Sequence, residues 1–519
     1  MMFPHTSVLI IAIPLLTAFI TPVVGKVIRP LRNVIIFLSL LLTFGLVISL
    51  AWDVYSFGHV VYTFGAENPG ITLPSGYSLP IRVIFNIDGM SVFMALMIAI
   101  VSLVAFVYSI DFLKKERQDK MDKYYTLLLL MCVGMYGMVF TGDLFNLFVF
   151  FEILSIASSA LVAFRTSGEA SEAGFKYIVI SSIAALFILF AIGIFYSQYN
   201  ALNIAAIAAN LNFGVLDKLA LSLLLVGLAM KAGTIPMHMW VPDAYGESPA
   251  PITLMLLIAT QASLYALFRI SFSLFGLHAN LALLGWILII FGLLSMFVGV
   301  TLAIPQKDIK RLMAYHSISQ TGYMLLGVGV GLAVLNDPTA FSNYGFKAME
   351  GGIFHMINYI LYKGLLFLTA GAIFYRLKTK NLDEMGGLAH RMPFTTLFFI
   401  IGALAIAGIP PFNGFASKLL IYESVYAFNP FLSVIAMLVS VLTLASFVKV
   451  FQSAFMGPDI NKSVKEVPIW MLVGMGILTL LIVLFSLFPG LVVDTIIKPA
   501  VIALAERQAY ISAVLGGVL

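Results

Sequence analysis

The chain has 519 residues, 61% hydrophobic and only 10% charged, a balance that excludes a soluble globular protein and describes a polytopic membrane protein. The net charge of +5 is too modest to argue for nucleic-acid binding, and one cysteine, Cys132, excludes an internal disulfide or a cysteine-ligated iron–sulfur cluster held by this chain alone. Seven histidines without metal-ligand spacing, and no GxGxxG or P-loop, assign any redox or nucleotide chemistry to another subunit, so no cofactor is expected here.

Apolar runs of about 18 residues or more predict roughly 14 spans. In chain order they are 6–24, 33–51, 87–110, 124–141, 144–164, 177–196, 219–240 (broken), 252–275, 279–303, 312–334, 352–374, 394–425 (broken), 431–456 and 468–488. The N-terminal MMFPHTS lacks a basic n-region, so the first run reads as a retained span. The loop 52–82 is the longest and is rich in Gly and Pro. Residues 201–213 are too short to span and read as interfacial. The tail 489–519, apolar on one side and carrying Lys498, Glu506 and Arg507, is also expected at the membrane interface.

Lys and Arg set the orientation. The loops after odd-numbered spans hold 19 of the 29, Arg117 and Lys462 among them, and the opposite side holds 5: Arg82, Lys218, Lys347, Lys498 and Arg507. This bias predicts a multi-pass plasma-membrane protein with both termini on the non-cytoplasmic side.

The seventh span carries GLAMKAGTIPMHMWVPDAYGESPAP at 227–251, which sets Lys231 in an apolar helix that Pro236 then breaks. The twelfth span repeats the theme in GIPPFNGFASK at 408–418, with Lys418. An offset of five spans makes the two breaks cross the membrane in opposite directions, the pattern of an inverted-topology repeat. The fold expected is thus all-α, with about 14 transmembrane helices in two inverted five-helix repeats. The units are 1–110 (spans one to three), 111–275 (four to eight), 276–456 (nine to thirteen) and 457–519 (span fourteen and tail).

Ionisable residues at membrane depth normally face a bundle interior or a water-filled cavity and mark an ion path. Glu152 lies mid-span in the fifth helix, with Ser155 and Ser159 on its face. Lys231 is either a proton carrier or a cap for carbonyls freed by the break, and Lys418 follows the same logic. Lys363 shares a stripe with His355 and Tyr359 at spacings of four, which suits a relay of titratable and hydroxyl groups. His316, near Ser317, Ser319 and Gln320, is a link between cytoplasm and interior or a hydrogen-bonded helix-end residue. His238 follows the first break and either caps freed carbonyls or moves protons. Gln261 is polar in mid-span and bridges waters or joins helices. Asp143 reads as a helix start, Lys449 as a snorkelling cation, and Glu423 and Arg269 as span-end residues.

Five motifs now carry a resemblance: GDLFNLFVFFEILS (142–155), KAGTIPMHMWVPDAYGESPAP (231–251), DIKRLMAYHSISQTGY (308–323), FHMINYILYKGLLFL (354–368) and GIPPFNGFASK (408–418). Together they resemble the antiporter-like subunits of respiratory complex I and of Mrp-type Na⁺/H⁺ antiporters. The match is nearest to the Mrp D subunit and its counterparts in energy-converting membrane-bound hydrogenases and related reductases. The resemblance implies that Glu152 and Lys231 form the charged pair of a first half-channel. It also implies that Lys363 and Lys418 are the lysines of spans eleven and twelve, and that His316 belongs to the motif of span ten. Many relatives have a lysine where this chain has Gln261 and a histidine where it has Tyr359.

The function expected is proton translocation within a multi-subunit redox-driven complex of hydrogenase, quinone or sulfur reductase type. The partners expected are other membrane subunits and iron–sulfur or metal-centre subunits. The alternatives are a subunit of a secondary Na⁺/H⁺ antiporter without a redox partner, and a structural anchor with a non-conducting axis. One carboxylate with serines supplies too few oxygens to argue for a sodium site.

Overall fold

The computed structural model describes residues 5–65, 71–72, 78–79, 82–116, 120–275, 280–458 and 464–516. Among these, eleven helices are long and apolar enough to cross a membrane. The chain is a mostly helical, multi-pass membrane protein. Lipid offers the backbone no hydrogen-bond partners, so long runs of Leu, Ile, Val, Phe and Ala satisfy their own amides by coiling. Arg117 and Lys462, counted above for orientation, lie outside the described residues, as do positions 66–70, 73–77 and 80–81 of the long loop.

The helix Ala250–Ser273 is buried along its whole length. Packed around it are Gly89–Glu116, Val215–Ala232 and Phe346–Leu377. Phe346–Leu377 in turn packs on Ile309–Ala333 and Asn413–Phe428. These central helices carry apolar residues on all sides, the mark of a helix surrounded by protein. Peripheral helices such as Thr6–Val27, Arg29–Phe57 and Ile469–Leu487 leave one apolar side uncovered, among it Phe19, Trp52 and Leu480.

Both expected breaks are present. The first helix ends at Ala232, and a short helix Val241–Glu247 follows a turn. The second break separates Pro393–Ala407 from Asn413–Phe428. Each first half stops on a glycine in the left-handed region, Gly233 (φ +69°) and Gly408 (φ +74°), where a side chain would be strained. Each turn also contains a cis X–Pro bond, Ile235–Pro236 and Pro410–Pro411.

One expectation needs correction, and two segments are more ordered than the sequence alone shows. The chain is not wholly helical: Val60–Thr63 pairs antiparallel with Ile84–Ile87, and Ile71–Thr72 with Ser78–Leu79. Alternating residues in a Gly- and Pro-rich stretch read as loop because the strands are too short to show a period. The interfacial segment at 201–213 contains a helix, Ile204–Asn210, whose residues Ile204 to Ala208 are buried against the bundle. Asn203 caps it, accepting from Ala205 N at 2.8 Å. The C-terminal tail folds back onto the protein: Ala500, Val501 and Leu504 are buried, and Arg507 donates to Ser273 O at 2.9 Å. Helix limits otherwise differ from expectation by a few residues, most at Phe346–Leu377 and Gly168–Tyr199, whose polar ends extend the helix past the apolar run.

Candidate functional site

Lys231 lies in the last turn of Val215–Ala232 and is 2% exposed. Its Nζ donates to Ser155 Oγ and Ser181 Oγ, each at 2.8 Å. The ammonium also stands 4.2 Å from the centre of the Tyr177 ring and 5.3 Å from that of Phe151. Hydroxyls and ring faces partly replace the water that burial removes. The carbonyls freed by the break go elsewhere: Trp240 Nε1 donates to Met230 O at 2.9 Å and Thr234 N to Ala229 O.

Glu152 and Lys231, expected as a charged pair, act on each other electrostatically but make no direct ion pair among the described residues. Among the described residues Glu152 makes no salt bridge, and it is partly exposed on a face shared with Phe145, Val149 and Ile156. Ser155, three residues on, turns inward to Lys231, whereas Ser159 donates to Ile156 O of its own helix. Helical geometry sends Glu152 and Ser155 to adjacent but different sides, a difference that spacing alone does not resolve. His238 has its Nδ1 3.3 Å from Pro236 O inside the turn, in keeping with a local capping role. Asp143 is a helix start, accepting from Asn146 N at 2.7 Å.

The second half holds a longer array. His355, Tyr359 and Lys363 line one stripe of Phe346–Leu377, and that stripe faces one stripe of Ile309–Ala333. His355 Nε2 is 3.2 Å from Gln320 Oε1. The Tyr359 hydroxyl meets Ser317, together with Tyr245 and Thr260. Lys363 Nζ donates to Met313 O. The antiparallel helices thus match 355, 359 and 363 with 320, 317 and 313. Tyr362 closes the His355 end, its hydroxyl 3.1 Å from His355 Nε2 and 3.2 Å from Gln320 Oε1.

From His355 the array turns to the second break. Its Nδ1 is 3.0 Å from Ser417 Oγ, beside Lys418. Lys418 is 1% exposed, and its Nζ donates to Ile406 O at 2.8 Å and Ser440 Oγ at 2.7 Å, above the Tyr323 ring at 4.9 Å. Here the lysine does satisfy a carbonyl freed by the break, at the negative end of the helix Pro393–Ala407. His316 is fully buried, its ring 5.0 Å from that of Phe447, over which Lys363 Nζ also stands at 5.9 Å. Among the described residues, neither His316 nitrogen has a hydrogen-bond partner, and neither does either amide atom of Gln261. Polar atoms this deeply buried call for water as their partner.

Between Lys231 and Lys363 runs a series of rings. Tyr177, beside Lys231, meets Trp240 edge-on at 4.9 Å, and Trp240 meets Tyr245 at 6.2 Å. Tyr245 reaches Thr260 at 3.1 Å, next to Gln261, and faces Tyr359. Sequence reasoning missed Ser181, Ser440, Tyr323, Tyr362 and Ser417. Each is a common residue in an apolar helix, and only Ser417, adjacent to Lys418, carried a local signal.

Among the described residues, Lys231, Lys363 and Lys418 make no salt bridge, although ion pairs are frequent elsewhere. Arg269 pairs with Asp88 at 2.6 Å in a buried site, so its reading as a span-end residue understates it. At one end of the bundle Asp243 holds Arg311 at 2.5 Å and Lys176 at 2.9 Å, and Glu247 holds Lys380 at 2.6 Å. Lys449 donates to Ile304 O and Gln306 O at a helix end, as a snorkelling cation does.

Residues 141–443 match the family model described as NADH:quinone oxidoreductase/Mrp antiporter, TM, and residues 73–125 match that for the N-terminus of chain 5 of NADH-ubiquinone oxidoreductase (complex I). The chain is 30% identical to NADH-quinone oxidoreductase subunit N of Desulforudis audaxviator, over 96% of this chain and 99% of that protein. It is 32% identical to one of the Na(+)/H(+) antiporter subunits of Alkalihalophilus pseudofirmus, over 88% of this chain but only 59% of that longer protein. It also superposes on a chain of the membrane-bound sulfane sulfur reductase, an archaeal respiratory membrane complex. That match has a TM-score of 0.85 and 30% identity, and covers 98% of this chain and 100% of that one.

Proposed function

Because the chain belongs to the NADH:quinone oxidoreductase/Mrp antiporter transmembrane family, we propose that it is the proton-translocating subunit of a multi-subunit, redox-driven membrane complex. The observation that carries this reading is the set of three buried ammonium groups, Lys231, Lys363 and Lys418, none of which is in a salt bridge among the described residues. An unpaired cation at membrane depth is expensive and is kept where it moves charge. The likeness to a chain of a respiratory reductase complex over 98% of this chain accords with redox drive.

In this reading fourteen spans form two inverted five-helix repeats, 111–275 and 276–456, flanked by 1–110 and 457–519. The matched breaks at Gly233 and Gly408 support that symmetry. The basic loops face the cytoplasm and both termini face the other side of the plasma membrane. Glu152 looks outward from an apolar face, which suits contact with a neighbouring membrane subunit. A charge on that neighbour draws Glu152 away from Lys231 or releases it. When Glu152 approaches, it steadies the Lys231 proton. When it withdraws, the proton leaves through Gln261, Tyr245 and Tyr359 toward Lys363, and through His316 and His355 to Lys418. Moving one charge against 100 mV requires about 2.3 kcal/mol. Electron transfer on separate iron–sulfur or metal-centre subunits supplies that energy.

Purification of the native complex through a tag on this chain, followed by mass spectrometry, tests the drive. Recovery of iron–sulfur or metal-centre subunits is expected. Recovery of small membrane subunits alone would overturn redox drive and leave a secondary antiporter.

A further inference from the structure

The face of Ile309–Ala333 that meets His355, Tyr359 and Lys363 does not end at Met313. Gln320, Ser317 and Met313 are separated by three and four residues, which keeps them on one side of the helix. The next step of three reaches Lys310. This lysine is 2% exposed, and its Nζ donates to Ser248 O at 2.5 Å. Among the described residues it makes no salt bridge. Arg165, Lys380, Glu247 and Asp308 supply the charges around it. From residue 310 to residue 313, the carbonyl that holds Lys363, the helix advances only about 4.5 Å.

Arg165, Lys380, Glu247 and Asp308, the four charged groups around Lys310, also line a charged basin. Two cavities of about 500 and 640 Å³ share Glu169, Glu247, Asp308 and Lys380 in their walls. Three of the carboxylates in this basin are already engaged: Glu247 with Lys380 at 2.6 Å, Asp308 with Lys380 at 3.5 Å, and Asp243 with Arg311 and Lys176. Lys310 is therefore a buried cation held by one carbonyl, between an open polar basin and the first group of the internal array. An ammonium gripped by a carboxylate is a strut; one held by a carbonyl alone is free to give up its proton.

We propose that Lys310 is the residue through which the basin exchanges protons with Lys363. This rests on the reading of Lys363 as a proton carrier. One N–H bond breaks at the Lys310 ammonium and one forms at the neutral amine of Lys363, directly or through a water. The Lys310 amine then takes up a proton from the basin, and the pair returns to its starting charge once Lys363 has passed its own proton onward along the array.

The test uses the intact complex in proteoliposomes, with proton uptake driven by its native reaction. Lys310→Arg keeps the charge and a donor for Ser248 O, but a guanidinium does not release its proton. Assembly is expected to persist while uptake slows about a hundredfold, the scale of one lost acid–base group. Lys310→Cys is expected to be as slow, and 2-aminoethyl methanethiosulfonate, which attaches an amine to the new thiol, is expected to restore it. The same reagent applied to the parent complex sets the baseline for cysteines elsewhere in the complex, and labelling at position 310 is checked by the mass of this chain, whose own Cys132 is buried. Full uptake in Lys310→Arg, or no recovery of the aminated Lys310→Cys, would overturn the proposal. Lys363→Met in the same vesicles separates the two readings. If it transports at the parent rate, the role of Lys363 fails. If it is silent while Lys310→Arg transports fully, only the entry role fails.

Discussion

Gly408 and Lys418 fit into each other's space: a Cβ on Gly408 would stand 2.8 Å from Lys418 Cδ. The break is therefore a mould for one ammonium, which it holds against Ile406 O and Ser440 Oγ. Gly408→Ala is expected to destabilise the left-handed turn by about 1–2 kcal/mol and to push the ammonium off its acceptors. Proton uptake by reconstituted vesicles should fall sharply while a native gel still shows the complex. Uptake at the parent rate would show that the position of Lys418 is immaterial.

Ser155 and Ser181 are the side-chain acceptors of Lys231 among the described residues. Hydrogen bonds to a charged group contribute about 1.5–3 kcal/mol each. The double change Ser155→Ala/Ser181→Ala should therefore slow uptake by at least about tenfold and lower the thermal stability of the complex. Either serine changed alone should have a smaller effect, since the other hydroxyl and the Tyr177 ring remain.

Arg269 and Asp88 form an ion pair buried on both sides, with Tyr265 and Tyr510 flanking the guanidinium at 5.5 and 4.9 Å. Removing one partner strands the other, a loss of roughly 3–5 kcal/mol. Asp88→Ala should lower the melting temperature of the solubilised protein substantially. Changing both, Arg269→Met with Asp88→Leu, should recover much of that loss. A double variant no better than the single would mean that the pair does not act as a unit.

How much of this was legible beforehand depended on the kind of signal. Both breaks were plain, because Gly and Pro inside an apolar run have few other meanings. The stripe of His355, Tyr359 and Lys363 was also plain from its spacing. Its counterpart on Ile309–Ala333 was not, since Met313 contributes a backbone carbonyl and Ser317 is an unremarkable helix residue. That Glu152 makes no direct ion pair with Lys231 among the described residues was hidden for a different reason. Which side of a helix faces a neighbouring helix, rather than lipid or another protein, follows from tertiary packing. The short strands Val60–Thr63 and Ile84–Ile87 were hidden by their length.

Asp243 gives the charged basin an acid limit. Burial alone would raise its carboxyl, but the hydrogen-bonded Lys176 and Arg311 beside it hold it below the usual carboxylate range. A carboxyl depressed on folding contributes stability above its unfolded pKa, roughly 4, and loses it as pH falls through the lower folded value. Melting of the solubilised protein should therefore be more acid-sensitive in the parent than in Asp243→Asn, with the two curves converging once pH has fallen through the lowered folded value. Parallel curves from pH 7 downward would show that the pairings add no stability.

The most direct measurement is proton uptake by proteoliposomes holding the intact complex with Lys231→Ala in this chain, driven by the native electron donor. The account predicts that electron transfer and assembly persist while the protons taken up through this subunit vanish, because the ammonium bonded to Ser155 and Ser181 is gone. Uptake in Lys231→Ala equal to that of the parent complex would contradict it.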